Sequence, residues 1–142
     1  MELPTPFLRP DRDFGGQRFC RSEVEKAVWT PWRLQGFEAR DTGIGAATAG
    51  VASVQVARPV NRQVTGQVTS HTSDILFTFV LSGSVTLSGE GQGAHALTKG
   101  DAYVLPPHLK TALTDCSEDL QLLEVSLPAE FTTHVHQDQR LS

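Results

Sequence analysis

The sequence predicts an all-β fold, a single domain built as a double-sheet jelly roll. Helical periodicity is almost absent from the 142 residues. From about residue 34 onward, short β-rich runs alternate with turn signals roughly every eight to twelve residues, which is typical of sandwiches and barrels. The 12 glycines and 8 prolines fall largely between these runs. About eight strands are expected, enough for a jelly roll of two sheets.

The predicted strands lie between residues 52 and 127, and each ends at residues that break a β ladder. Gly83 and Gly100 open tight turns, because glycine adopts backbone conformations that other residues avoid. Pro106 and Pro107 end a strand, because proline donates no ladder hydrogen bond. The strands are predicted at 52–57, 75–81, 84–87, 95–97, 102–105, 110–113 and 120–127.

A short segment before the barrel favours a helix. Ser22 precedes Glu25 by three residues, which is the spacing of a capping box. Pro31 follows closely, so no more than a turn or two of helix is expected. Residues 1–35 are predicted to form an N-terminal arm packing on the barrel, 36–131 the barrel, and 132–142 a polar C-terminal tail.

The predicted strand at 75–81 is apolar on both faces. A strand with one face in water alternates between apolar and polar residues. This strand is therefore expected to be covered twice, by the facing sheet and by a further element or a second subunit. A homodimer is predicted, in which the N-terminal arm and this strand help to form the interface. One face carries Ile75, Phe77, Phe79 and Leu81, and the other carries Leu76, Thr78 and Val80.

Charge and composition exclude several classes of protein. The formal net charge of −4 divides into +2 for residues 1–62, with nine basic and seven acidic side chains, and −6 for 63–142, with three and nine. Neither half offers the clustered basic face that binds nucleic acid. No apolar run is long enough to cross a membrane, and no signal peptide is recognisable. A cytoplasmic location is expected, with Cys20 and Cys116 as free thiols.

Two segments resemble the conserved motifs of the cupin superfamily. Residues 100–108, Gly-Asp-Ala-Tyr-Val-Leu-Pro-Pro-His, resemble the second cupin motif, G-x5-P-x-G-x2-H. Residues 71–83, which begin His-Thr-Ser-Asp and end Leu-Ser-Gly, resemble the end of the first motif, H-x-H-x3/4-E-x6-G. The resemblance covers residues 45–127 and implies a small single-domain bacterial cupin with an RmlC-like barrel.

The resemblance also implies where a metal would bind. Metal-dependent cupins hold a divalent ion with two histidines and a glutamate of the first motif and a histidine of the second. The corresponding positions here are Thr69, His71, Leu76 and Thr111, so one ligand of four is kept. Leucine has no donor atom, and a neutral threonine hydroxyl is a weak ligand for a transition metal. No cofactor is therefore expected, although a divalent metal on a rearranged site with His71 and His108 is an alternative.

His108 also has a purely structural interpretation. It replaces the glycine of the second motif, and histidine is among the residues enriched where a non-glycine backbone has a positive φ. On this interpretation His108 is a turn residue.

Three functions remain open from the sequence. The first is the binding of a small, mostly apolar molecule inside the barrel without a metal. The second is a metal-dependent cupin enzyme, of dioxygenase or isomerase type, with a rearranged site. The third resembles the metal-free sugar epimerases, with His71 as the base, oriented by Asp74, and Tyr103 as the acid. The pocket of the first function is predicted to be lined by Thr69, His71, Leu76, Thr78, Val80 and Thr111.

Overall fold

A computed structural model of the chain describes residues 14–137 and residue 141. Within them, eleven antiparallel strands form two sheets that face each other, so the all-β jelly-roll prediction is confirmed. The six-stranded sheet has the order β1-β2-β3-β10-β5-β8, and the five-stranded sheet has the order β11-β4-β9-β6-β7. The strands are β1 (Trp29–Pro31), β2 (Phe37–Asp41), β3 (Ser53–Pro59), β4 (Thr69–His71), β5 (Ile75–Ser82), β6 (Ser84–Gly89), β7 (Gly93–Thr98), β8 (Ala102–Val104), β9 (Thr111–Thr114), β10 (Gln121–Leu127) and β11 (Thr133–Val135).

Each strand predicted between residues 52 and 127 is present, whereas four others were not predicted. These four, β1, β2, β4 and β11, are only three to five residues long, so they lack the longer apolar runs that indicate a strand. Because β1 and β11 each pair with a neighbouring strand, the barrel extends beyond the predicted range of 36–131 at both ends.

The predicted helix is a single 3-10 turn, Val24–Lys26, and its capping box does not form. Glu23 is the residue at the N-cap and forms ion pairs with Arg21 and Lys26. The Ser22 hydroxyl instead accepts a bond from Arg40. Two further short helices, α1 (Ile44–Ala47) and a 3-10 turn at Arg62–Val64, lie between strands. No helix in the described ranges is long and apolar enough to cross a membrane.

The main hydrophobic core occupies one end of the space between the sheets. On β5 it contains Val80, and on β10 it contains Leu122, whereas the inward positions nearer the other end of β10 are the polar residues Glu124 and Ser126. Cys116 is a buried member of the core, and both it and the exposed Cys20 are free thiols, as predicted. The complete cluster is Leu34, Phe37, Val80, Val85, Leu113, Cys116, Leu120 and Leu122.

The outer face of β5 is open to solvent in a single chain. Leu76, Thr78 and Val80 point inward and are buried, but Ile75 and Phe77 are 48% and 36% exposed. Within one chain the strand is therefore fully covered on one face only, and the second cover that the sequence predicts stays a prediction.

Candidate functional site

A buried ion pair lies at the polar end of the barrel interior. The alternation of β10 places Leu122, Glu124 and Ser126 on its inward face, so a carboxylate is 3% exposed among buried side chains. Arg33, in the loop after β1, forms an ion pair with this carboxylate. The Arg33 Nε donates to both carboxylate oxygens at 3.0 and 3.2 Å, and its Nη2 also contacts Glu124. A buried carboxylate requires such a partner, because an unpaired charge is strongly disfavoured away from water.

Two aromatic rings lie close to the guanidinium of Arg33. Its central carbon lies 4.8 Å from the ring centroid of Trp32 and 5.7 Å from that of Phe131. Trp32 is itself fixed, because its indole N–H donates to Gln55 at 3.2 Å and its ring packs edge-on against Phe37. Stacking and pairing together leave Arg33 little freedom to move.

A cavity of about 570 Å³ opens beside this pair. Arg33, Trp32 and Phe131 line it, and its volume lies within the range of small-molecule pockets in proteins. We call it the mouth cavity, since it lies where the inward faces of β1, β2, β3 and β10 approach β11. Its polar lining consists of Thr30, Ser53, Gln55, Ser126, Glu130 and Thr133.

His71 is buried nearby, and both of its ring nitrogens are engaged by the backbone. The Ser73 N–H donates to Nδ1 at 3.1 Å, and Nε2 lies 2.7 Å from the carbonyl oxygen of Leu105. An amide can only donate and a carbonyl can only accept, so the ring is neutral with its hydrogen on Nε2. Burial lowers the pKa of His71 from its ordinary value and favours this neutral form. The lone pair needed for a metal or for a substrate proton is already in use.

Tyr103 and Asp74, the other candidates for acid–base chemistry, are not the hydrogen-bond partners of the His71 ring nitrogens. Asp74 is exposed, and the partners of both ring nitrogens are backbone groups. Tyr103 lies across from Thr78 and shares a hydrogen bond with it. Burial raises the pKa of Tyr103 to about 12, which makes it a poor proton donor near neutral pH.

The six residues of the predicted pocket are all buried. None is more than 6% exposed, and Val80 belongs to the hydrophobic core. Thr111 lines a second cavity of about 640 Å³, beside His95 and His108. The other five are Thr69, His71, Leu76, Thr78 and Val80.

Comparison with known proteins identifies the architecture. A scan against protein-family models matched none of them, and a search of curated protein sequences found no match. Among solved structures, a Streptomyces PAC13 variant with uridine has a TM-score of 0.63 at 15% identity, covering 86% of this chain and 92% of that one. KdgF from a Halomonas species has a TM-score of 0.61 at 16% identity, covering 80% and 96%. An RmlC-like cupin from Shewanella frigidimarina has a TM-score of 0.59 at 16% identity, covering 81% and 96%.

The chain has a cupin fold. At these identities the likeness establishes the fold and not the activity.

The residues at the usual cupin ligand positions do not fit a metal ion. Leu76 has no donor, Thr69 and Thr111 offer neutral hydroxyls, and both nitrogens of His71 are engaged. His108 is exposed, has φ of +73°, and donates its backbone N–H to the carbonyl of His71. Its conformation agrees with the turn interpretation. Across the described ranges, no three His, Cys, Asp or Glu side chains are grouped to hold a metal.

The sequence indicated His71 as a candidate site residue but did not indicate Arg33, the cation of the buried ion pair. Arg33 and Glu124 are 91 residues apart, so no local spacing links them. One signal was available in β10, where Glu124 shares a face with Leu122. A charged residue on the apolar face of a strand indicates a buried partner.

The engaged ring of His71 predicts a pH-dependent stability. Below pH 6.5 the unfolded chain protonates this histidine, whereas the folded chain resists protonation. The free energy of unfolding should therefore fall as pH decreases from 7.5 to 5, by up to about 1.4 kcal/mol per pH unit from this group. Urea unfolding at several pH values should show a smaller dependence in His71→Gln. The same change at the exposed His95 should leave the pH dependence of the unfolding free energy intact. If both substitutions reduced this dependence equally, its assignment to His71 would be contradicted.

Proposed function

We propose that this cupin barrel binds a small, uncharged molecule in the mouth cavity without the help of a metal. The observation that carries the proposal is the fixed guanidinium of Arg33, held by Glu124 and flanked by Trp32 and Phe131 at the cavity wall. Such a pair is rigid before a ligand arrives, so binding requires little reordering of side chains.

The lining favours a planar ring that carries hydroxyl groups. Trp32 and Phe131 supply apolar faces for a ring, and Gln55, Ser126 and Thr133 supply hydrogen-bonding groups for hydroxyls. Glu124 engages Nε and Nη2 of Arg33, which leaves the two N–H groups of Nη1 on the edge away from the carboxylate.

The charged groups at the mouth cavity disfavour an anionic ligand. Glu124 neutralises Arg33, and Glu130 adds a further carboxylate to the lining. Nucleosides combine a planar ring, hydroxyl groups and no net charge. The Streptomyces PAC13 variant of the same fold is described with uridine, which makes uridine a suitable probe.

The two enzymatic alternatives draw no support from this geometry. A rearranged metal site lacks a cluster of donors among the described residues. An isomerase that uses His71 as its base would first have to break the bond from Ser73 to Nδ1.

Calorimetric titration of uridine into the protein, in buffer containing EDTA, tests the proposal. We expect saturable binding, and we expect Phe131→Ala to weaken it by about tenfold, since stacking of a base on an aromatic ring contributes about 1–3 kcal/mol. Val60→Ala, in the exposed loop after β3, is the matched control and should leave binding unchanged. No binding of uridine, cytidine or adenosine would contradict the ligand class, and unchanged affinity in Phe131→Ala would contradict the site.

A further inference from the structure

The cavity of about 640 Å³ beside His95 and His108 is separate from the mouth cavity, since none of its lining residues also lines the mouth cavity. It lies where the two sheets end, because His95 belongs to the edge strand β7 and Val104 to the edge strand β8. Residues of the loop from β8 to β9 also line it. We call it the edge cavity.

The register of the five-stranded sheet explains why space is left there. Thr111 on β9 lies opposite Gly89 on β6, and Gly89 lies opposite Gly93 on β7. Directly opposite residues share one face of a sheet, so a single side chain is followed by two positions that have none. Nothing lies within 4 Å of a Cβ built on Gly93, and a Cβ built on Gly89 would lie 3.8 Å from the Leu109 side chain, which lines the cavity.

The Thr111 hydroxyl is a polar group at the buried end of the edge cavity. Thr111 is 6% exposed, and its side chain has no hydrogen-bond partner among the described residues. In the same part of the chain, no fully enclosed side-chain oxygen lacks a partner, so the Thr111 oxygen reaches open space. A nearly buried hydroxyl that faces a cavity without a partner is satisfied only by a molecule in that cavity.

The rest of the lining is mostly apolar and carries no carboxylate, ammonium or guanidinium group among the described residues. His95 is exposed, and its Nε2 lies 2.8 Å from the carbonyl oxygen of Gln92. A carbonyl only accepts, so this nitrogen carries the hydrogen and Nδ1 offers a lone pair. The apolar walls include Leu87, Leu105, Pro106, Pro107 and Leu109.

We propose that the edge cavity binds a neutral aromatic alcohol, with its hydroxyl on Thr111 and its ring between the apolar walls. A hydroxyl suits Thr111, because each of the two groups can donate to the other and accept from it. A ring suits the leucine and proline walls, which provide apolar surface on several sides. A charged ligand is disfavoured, since the lining provides no opposite charge.

This second site does not depend on the function proposed for the mouth cavity. The buried His71 contacts one lining residue of each cavity. Its ring packs edge-on against Phe131 of the mouth cavity with centroids 6.1 Å apart, and its Nε2 donates to the carbonyl of Leu105 of the edge cavity. Because the cavities share no lining residue, we expect the two sites to bind without competition.

Fluorescence titration with 2-naphthol, in buffer containing EDTA at pH 7.5, tests the edge cavity. This probe is neutral at that pH, as phenols are, and naphthalene is the same ring system without a hydroxyl. We expect saturable binding of both, with 2-naphthol bound more tightly. Thr111→Val keeps the shape of the side chain but removes its hydroxyl. It should weaken 2-naphthol by about tenfold, because the probe's hydroxyl is then buried without a partner, and leave naphthalene unchanged.

Two further variants keep the test decisive if Thr111→Val does not fold, as judged by circular dichroism. Leu109→Ala, in the loop before β9, removes part of an apolar wall and should weaken both probes by about fivefold. Thr114→Val lies on the same strand as Thr111 but outside the cavity, and it should change neither affinity.

Three results would overturn the proposal. The first is a lack of saturable 2-naphthol binding. The second is displacement of 2-naphthol by uridine, which would place the probe in the mouth cavity; if uridine does not bind at all, the other results still decide. The third is a failure of the variants: an equal loss of both probes in Thr111→Val would exclude the hydroxyl contact, and unchanged binding in Leu109→Ala would exclude the cavity.

Discussion

Glu124→Gln is expected to lower the free energy of unfolding by about 3 kcal/mol. The change keeps the shape of the side chain but removes the charge that balances Arg33. Breaking a buried ion pair costs about 3–5 kcal/mol, because the remaining charge stays buried without a partner. The lower end applies here, since the Arg33 side chain is 16% exposed whereas that of Glu124 is 3% exposed. Urea unfolding at pH 7.5 measures the loss.

A second ion pair in the same sheet provides the matched control. Arg58 pairs with Glu38, but their side chains are 41% and 24% exposed. Exposed pairs contribute about 0–1 kcal/mol, because water screens the charges and the side chains lose freedom. Glu38→Gln should therefore cost less than about 1 kcal/mol. Similar losses in the two variants would show that Glu124 is not held in a buried pair.

Gly83→Ala is expected to be nearly as damaging, for a steric reason. Gly83 joins β5 to β6 with φ of +76°, and a Cβ there would lie 2.3 Å from the Ser117 hydroxyl and 2.7 Å from backbone atoms of Leu120. The left-handed conformation costs about 1–2 kcal/mol for a residue with a side chain, and overlap in a packed region adds about 1–3 kcal/mol. We expect a total loss of about 3 kcal/mol, measured by thermal or urea unfolding.

Gly100→Ala separates conformation from overlap. Gly100 has φ of +95°, but nothing lies within 4 Å of a Cβ built there. This variant should lose only the conformational part of the free energy, about 1–2 kcal/mol.

The overlap at Gly83 also affects hydrogen bonds. The Ser117 hydroxyl, which the new side chain of Gly83→Ala would displace, accepts from the Ser84 N–H and donates to Asp119. Equal losses at the two glycines would contradict the close approach to Ser117 and Leu120.

The barrel was predictable because its central strands carry local signals. The alternation in β10 and the apolar run in β5 lie within single segments, and Gly83 and Gly100 mark the turns beside them. The edge strands β1 and β11 are only three residues long, so their own residues carry little strand signal. β11 in addition pairs with β4, which lies about 60 residues earlier in the chain.

The site was less predictable, because it depends on contacts between distant segments. His71 is visible in the sequence, but the carbonyl that fixes its tautomer belongs to Leu105, 34 residues away. Arg33 follows a strand that was not predicted, and it reaches Glu124 across 91 residues. The sequence motifs therefore indicate the metal positions of related proteins, whereas tertiary packing forms the mouth cavity beside the ion pair.

The Arg33 Nε–H resonance offers the most direct test of metal-free binding in the mouth cavity. This N–H donates to Glu124, and Arg33 lines the cavity. Its proton and nitrogen chemical shifts therefore report on the ion pair and on a ligand in the cavity. In buffer with EDTA, titration with uridine should move the resonance to a saturating value, with the same midpoint as the calorimetric binding. A resonance that stays unchanged, or that moves only after a divalent metal is added, would contradict the account.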